Sequence, residues 1–238
     1  MEFLPIKTRI VQPPKDEIWD IIDGLDVRDG DIVFITSKIL GIHQGRTAKV
    51  GTVDKKDLIR GEASHILEYR HCDGFDFNLT ITDNMLIANA GIDESNANGH
   101  YIMWPRDTDK LCAEIRARLI ERSGAKRLGV VATDSHTAPL RWGVMGMTTG
   151  FAGVKLLKDM RGQKDLFGRK LHVTQVNQID PLAAMAVLIM GEGNECTPIV
   201  ILRGFDGVTF DDRAKMTDYH INPEVDIWGP LLNAMKKV

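Results

Sequence analysis

Two short apolar, β-branched runs constrain any fold of this chain. Gly30-Asp31-Ile32-Val33-Phe34-Ile35-Thr36-Ser37 follows a turn signal and has no polar position between Ile32 and Ile35, and Arg127 to Thr133 is similarly apolar. A half-exposed strand would alternate in polarity, and a surface helix would place apolar residues every three or four positions. Unbroken runs of this length read instead as strands buried on both faces. Their ends carry chemistry: Thr36 and Ser37 close the first, and Asp134 closes the second.

Other elements are marked by spacing and caps. Asp54 to Tyr69 has helical spacing, and Leu79 to Ala90 reads as two short strands turning at Asp83-Asn84. Asp107 to Arg122 is predicted as a helix capped by Asp107 or Thr108, with Leu111, Ile115 and Leu119 on one face and Gly124 as its stop. Asp180-Pro181 predicts a helix start, with Asp180 as the cap, running to Gly191. Leu171–Gln175 and Pro198–Leu202 are further strand candidates, and Pro223 to Lys237 a closing helix. Strands and helices do not alternate as a βαβ series would. The expected fold is therefore α+β, with mixed, largely antiparallel sheets packed with helices, in two closely joined lobes of a single unit spanning 1–238.

Composition narrows the function. With 238 residues, 43% hydrophobic and 26% charged, the chain matches a soluble globular protein. Its longest apolar run, Pro181 to Met190, falls short of the roughly 20 residues a membrane span needs. No basic segment leads into an apolar one at the N-terminus, so a cytoplasmic protein with no membrane partner is expected. A net charge of -3 argues against a nucleic-acid partner, which normally calls for a basic excess. Cys72, Cys112 and Cys196 form no C-x-x-C pair and read as reduced thiols.

Three acids stand in glycine-flanked or low-bulk settings at the ends of apolar elements: Asp93 in Asn89–Asn96, Asp134 in Ala132–Ser135, and Glu192 in Met190–Asn194. Such carboxylates suit a hard cation and its phosphate cargo. Asp93 with Asn96 is also how an Asx turn is written, and Asp134-Ser135 could equally be a turn. Glu192 between two glycines gains nothing from helix propensity, which favours ligand duty. Gly143, Gly146, Gly150 and Gly153 form no P-loop and serve either tight strand packing or a ligand. The basic run after them, Lys155, Lys158, Arg161, Lys164, Arg169 and Lys170, is either a solvated face or a counterpart for phosphate oxygens. Of seven histidines only His136, two residues after Asp134, stands near a candidate site.

Taken in order, Asn89-Ala90-Gly91-Ile92-Asp93-x-Ser95-Asn96, Thr133-Asp134-Ser135, Gly153-Val154-Lys155-x-x-Lys158-Asp159, Gly162-x-Lys164-Asp165-Leu166-Phe167-Gly168-Arg169 and Met190-Gly191-Glu192-Gly193 resemble the coenzyme F-420 gamma-glutamyl ligase family over about residues 30 to 204. The resemblance implies an intertwined homodimer that joins L-glutamate to a small-molecule carboxylate acceptor, using GTP (or ATP) and Mg2+ or Mn2+. Carried onto this chain, it implies Asp93 and Asp134 as ligands of one metal and Ser135 and Glu192 as ligands of a second, with Asp93, Asp134 and Glu192 serving catalysis. Ser37, Lys38 and Asn96, with Gly191, Gly193 and Asn194 of the Met190 to Thr197 turn, resemble nucleotide contacts. Arg141, Lys155, Lys158, Lys164 and Arg169 are the basic candidates for phosphate.

Chemistry supports that pattern. A carboxylate condenses with an amine only after its oxygen becomes a good leaving group, as in an acyl phosphate, and cations on the phosphate oxygens make a protein nucleophile unnecessary. Departures from the family pattern concern the ligands. Ile42 stands where the family carries a lysine, Ala138 and Trp142 replace basic positions, and Arg9 to Gln12 match poorly. Lost cations and a gained aromatic suggest a flatter acceptor, such as a folate-like pterin, beside the deazaflavin. A non-catalytic nucleotide- or cofactor-binding homologue and a metal-dependent phosphohydrolase are the competing expectations.

Overall fold

A computed structural model of the chain describes residues 1–68 and 77–238. From the N-terminus come β1 (Glu2–Ile6), α1 (Trp19–Asp23), β2 (Asp31–Thr36), α2 (Ser37–His43), β3 (Thr47–Lys49) and α3 (Lys55–Glu62). Next are β4 (His65–Glu68), β5 (Asn78–Thr82) and β6 (Met85–Ala88), then a 3-10 turn (Asn89–Gly91) and β7 (His100–Ile102). Helix α4 (Thr108–Ser123) leads into the long strands β8 (Leu128–Thr137) and β9 (Val144–Ala152). The chain continues through β10 (Leu157–Asp159), β11 (Gln175–Asn177), α5 (Asp180–Met190) and β12 (Ile199–Arg203). A 3-10 turn (Met216–Tyr219), α6 (Gly229–Leu232) and β13 (Lys236–Lys237) complete it. The expected Tyr69 helix end, His71 and Cys72 lie outside the described residues.

The central sheet has the order β1-β12-β2-β8-β9, and its neighbours are antiparallel except for β2 and β8. The two apolar runs are thus side by side and parallel, with Thr36 opposite Thr133. Both faces are covered, which is why neither run alternates. Val33, Ile35, Val130 and Ala132 pack with Ile22 of α1, Leu40 of α2, and Ile115 and Leu119 of α4. Ile32, Phe34, Val131 and Phe151 face the other way, onto Ala183, Ala186, Val187 and Met190 of α5. Burying side chains of this size contributes about 1.5–3 kcal/mol each. Ligands of open sheets collect beyond the carboxyl ends of parallel strands, and here that edge carries Thr36, Lys38 and Asp134.

Antiparallel pairing elsewhere makes the fold α+β as expected: β13-β4-β5-β6 form a second sheet, with Asp83 and Asn84 at positive φ in the β5–β6 turn. Helix α4 ends at Gly124 in the left-handed conformation, and α5 ends at Gly191. Several expectations are corrected. The helix from Asp54 stops at Glu62, because Ser64 onward pairs with β5, so the rest is strand β4. Strand β8 does not end at Asp134 but runs to Thr137, carried on by pairing with β9 as far as Val144. Asp180 does not cap α5: the Asn177 side chain accepts the N–H groups of Ile179 and Asp180, and Asp180 accepts Thr148 N–H instead. Of Leu171–Gln175 only Gln175 is in a strand, and Pro223 to Lys237 holds only the single turn α6 before β13 joins β4.

The glycine-rich stretch is the strand β9. Added β-carbons at Gly146 and Gly150 would overlap Val187 of α5 and Thr108 of α4, so these glycines serve close packing. No described helix is long and apolar enough to cross a membrane.

Candidate functional site

At the carboxyl edge of β2 and β8 lies a cleft of about 440 Å³, a size suited to a small-molecule ligand. Asp93, Asp134, Ser135, Glu192 and Glu195 line it together with Lys38, Asn96 and Asn98, while Val11, Ile39, Ile42, Val187 and Met190 form an apolar side. Four segments remote in sequence meet here because the parallel pair sets Lys38 beside Asp134, and the loops after β6 and α5 fold over the same edge.

Asp93 is bound on both oxygens. Its Oδ1 accepts the N–H groups of Glu94 and Ser95 at 2.6 and 2.8 Å, and its Oδ2 accepts the Ser95 hydroxyl at 2.9 Å. Lys38 Nζ lies 2.6 Å from the same Oδ2 and donates to Ser95 O and Oγ, both at 3.1 Å. The Asx turn and the cleft position therefore coexist in one residue. Asn96 Nδ2 donates to Gly193 O at 2.8 Å, tying this loop to the one after α5. That second loop is closed by Thr197 Oγ1 donating to Met190 O at 2.6 Å and by Glu195, whose carboxylate accepts Gly193 N–H at 2.8 Å. Glu195 also lies over Gly191, which has φ +79, so a side chain there would displace it. Ser135 favours the ionised form of Glu192.

The acids respond to each other's field. Burial pushes Asp134 up to about 6, and the charge of Asp93 adds to this, while the Trp104 indole N–H, the Ser135 N–H and Lys38 oppose it. Burial also raises Glu192, with Asp93 and Glu195 reinforcing and Lys38 opposing. Burial works against ionising Asp93 too, but Lys38 and the Ser95 hydrogen bonds outweigh it and hold this carboxyl below its usual range. The other lining cation, Arg9, is engaged by Asp16 at 2.7 Å and Asp20 at 2.8 Å. Four acids thus face one ammonium, that of Lys38, which is itself paired with Asp93.

Among the described residues no three His, Cys, Asp or Glu side chains are gathered closely enough to hold a metal ion on their own. The donor chemistry nevertheless fits Mg2+ or Mn2+. Every donor is oxygen, the acids are in excess, and such ions are commonly held by one or two carboxylates with substrate phosphates supplying the rest.

Most sequence-predicted site residues are brought together: Asp93, Asp134, Ser135, Glu192, Lys38, Asn96, Gly191, Gly193 and Asn194 all line the cleft. Ser37 does not; it is buried at the start of α2, and Thr36 lines the cleft in its place. Arg141, Lys155, Lys158, Lys164 and Arg169 do not line it either. Lys155 pairs with Asp211 at 3.4 Å, and Lys164 and Arg169 lie on the excursion between β10 and β11, so that pairing carries them away. Trp142 is 91% exposed and outside the cleft, as is His136, whose ring meets Thr137 O.

Thr8, Arg9, Ile10 and Val11 line the cleft although Arg9 to Gln12 match the family pattern poorly, and Glu195 of the Met190 to Thr197 turn lines it too. Trp104 was missed. Its indole donates to Asp134 Oδ2, and it is 6% exposed. A Trp-Pro pair after a strand carries no local signal for this. Its ring lies against Gly91, where φ is +70 and an added β-carbon would overlap the indole. Gly91→Ala is expected to destabilise the fold by about 1–3 kcal/mol, read from urea unfolding, because both backbone and ring must shift; an unchanged midpoint would contradict that packing.

A family model described as F420-0:Gamma-glutamyl ligase matches residues 5–204. The coenzyme F420:L-glutamate ligase of Methanopyrus kandleri is 34% identical over 224 residues, 86% of this chain and 86% of that protein. The protein of the same name from Methanocaldococcus jannaschii is 34% identical over 203 residues, 78% of this chain and 80% of its own. That from Archaeoglobus fulgidus is 31% identical over 221 residues, covering 87% and 88%.

Proposed function

Because this chain belongs to the F420-0:gamma-glutamyl ligase family, we propose that it is an amide-bond-forming ligase that adds L-glutamate, through a γ-glutamyl amide, to a carboxylate of an F420-type acceptor. GTP or ATP would be the co-substrate and Mg2+ or Mn2+ the metal. The observation that carries this reading is the convergence of Asp93, Asp134 and Glu192 with Lys38 in one cleft, every member of which falls inside the matched residues.

The chemistry balances without a protein nucleophile. An acceptor carboxylate oxygen attacks the γ-phosphorus and the nucleoside diphosphate leaves. The glutamate amine then attacks the acyl carbon, inorganic phosphate leaves, and the amine gives up a proton. A bound divalent ion would neutralise charge on the phosphate oxygens. Asp93 and Asp134, with Ser135 and Glu192, would hold the metal. Lys38 would place its ammonium against the phosphates, Asn96 would keep its loop closed on Gly193, and the apolar side around Ile39 and Ile42 would keep water from the acyl phosphate. Ile42 is buried in this wall, so the cationic work falls to Lys38.

A homodimer is supported by the excursion between β10 and β11, where Leu166 and Phe167 are 98% and 95% exposed next to Lys164 and Arg169. On a partner, these basic residues would meet phosphate.

The purified chain would be incubated with GTP or ATP, Mg2+ or Mn2+, glutamate, and either the deazaflavin precursor or folates, and product masses read. The expected product is the deazaflavin acceptor extended by glutamate, formed only when nucleotide and metal are both present. Phosphate release that consumes no glutamate would make the chain a phosphohydrolase. Tight nucleotide binding with no product from any acceptor would make it a binding homologue.

A further inference from the structure

Asp134 is held from behind by a residue that does not line the cleft. Trp104 follows β7, and its indole N–H donates to Asp134 Oδ2. The ring is packed in a box of Met85 and Ile87, with Met147 and Met216 closing it, and Gly91 lies against its face. Its own carbonyl accepts Arg46 Nε at 3.2 Å, so the backbone is anchored as well. An indole nitrogen is only ever a donor, unlike a hydroxyl or an imidazole, and cannot turn to present a lone pair. A rigid, buried donor of this kind restricts how the carboxylate can turn, because Oδ2 must stay on the indole N–H.

We propose that Trp104 is the positioning residue of the site, fixing Asp134 in the orientation in which it takes a divalent cation. This rests on the metal-dependent reading above and deepens it. Outer partners that orient a liganding carboxylate typically set metal affinity by about 10–100-fold. A role confined to core packing would alter stability and leave cation affinity alone.

The test is Mn2+ binding, followed by the electron spin resonance of free Mn2+, for the unsubstituted chain and for Trp104→Phe, which keeps an aromatic side chain and removes the indole N–H. Mn2+ should bind the variant at least about tenfold more weakly, with KM for glutamate little changed. Equal Mn2+ affinity in a folded Trp104→Phe protein overturns the inference and leaves the ligase reading intact. Absence of protein-bound Mn2+ in the unsubstituted chain, both with and without a nucleoside triphosphate, removes both. If the variant does not fold, the unsubstituted protein labelled with fluorotryptophan decides: Mn2+ should broaden the Trp104 fluorine resonance before those of exposed Trp142 and Trp228. A Trp104 signal untouched at saturating Mn2+ overturns it.

Discussion

Asp134→Asn should lower glutamate-dependent nucleotide turnover on the order of 10³-fold while the protein stays folded. Asparagine preserves the shape of the side chain and an oxygen for the Trp104 indole, but removes the charge that would meet a cation. The stability effect has the opposite sign. The Asp134 carboxyl is raised to about 6 in the folded protein, above its usual value of 3.8. The native state therefore holds the proton more tightly than the unfolded chain, and stability falls as pH rises through that interval. The asparagine variant lacks this loss, so above pH 6, without metal, it should unfold no earlier than the unsubstituted chain. Phosphate release with Mn2+ and glutamate checks the first outcome, and thermal unfolding at several pH values checks the second. Full turnover by the variant would remove Asp134 from the reaction.

Lys38→Met should separate nucleotide from metal. The Lys38 ammonium is 2.6 Å from Asp93 and moderates the charge of Asp134 and Glu192 as well. Without it, the lining cation left is Arg9, already engaged by Asp16 and Asp20. A charge-assisted hydrogen bond to phosphate contributes about 1.5–3 kcal/mol, so nucleotide affinity should fall roughly 10- to 100-fold. Mn2+ affinity in the absence of nucleotide should hold or tighten, since the remaining field is more negative. Calorimetric titration with each ligand separates the two. If both affinities collapse together, Lys38 acts chiefly as a tether for the Asp93–Ser95 loop, to which it is bound at Ser95 O and Oγ.

The elements legible in the sequence are those whose cause is local. The apolar run of β2, the Asp83-Asn84 turn, α4 with its Gly124 stop, and α5 with Pro181 in its first turn all follow from periodicity and turn chemistry within a few residues. The extension of β8 past Asp134 was not legible, because it depends on a partner strand that begins at Val144. The same holds for β4, which looks helical until β5 pairs with it, and for the C-terminal stretch, where only Lys236 and Lys237 find a strand. The acids flanked by glycine or small residues at element ends, Asp93, Asp134 and Glu192, all line one cleft. The basic run does not reach this cleft within one chain, and Lys155 pairs with Asp211 and Arg161 with Asp159.

By itself, then, the sequence determined the buried strands, the main helices and the identity of the chemically apt acids, because hydrophobic burial, capping and side-chain chemistry act over short stretches of chain. Only the tertiary structure decided that β2 and β8 run parallel, that Lys38 sits on Asp93, and that Trp104 stands behind Asp134. Those contacts join residues 30 to 97 positions apart. They arise when sheet pairing and core packing bring distant segments to one edge, and no local propensity encodes them.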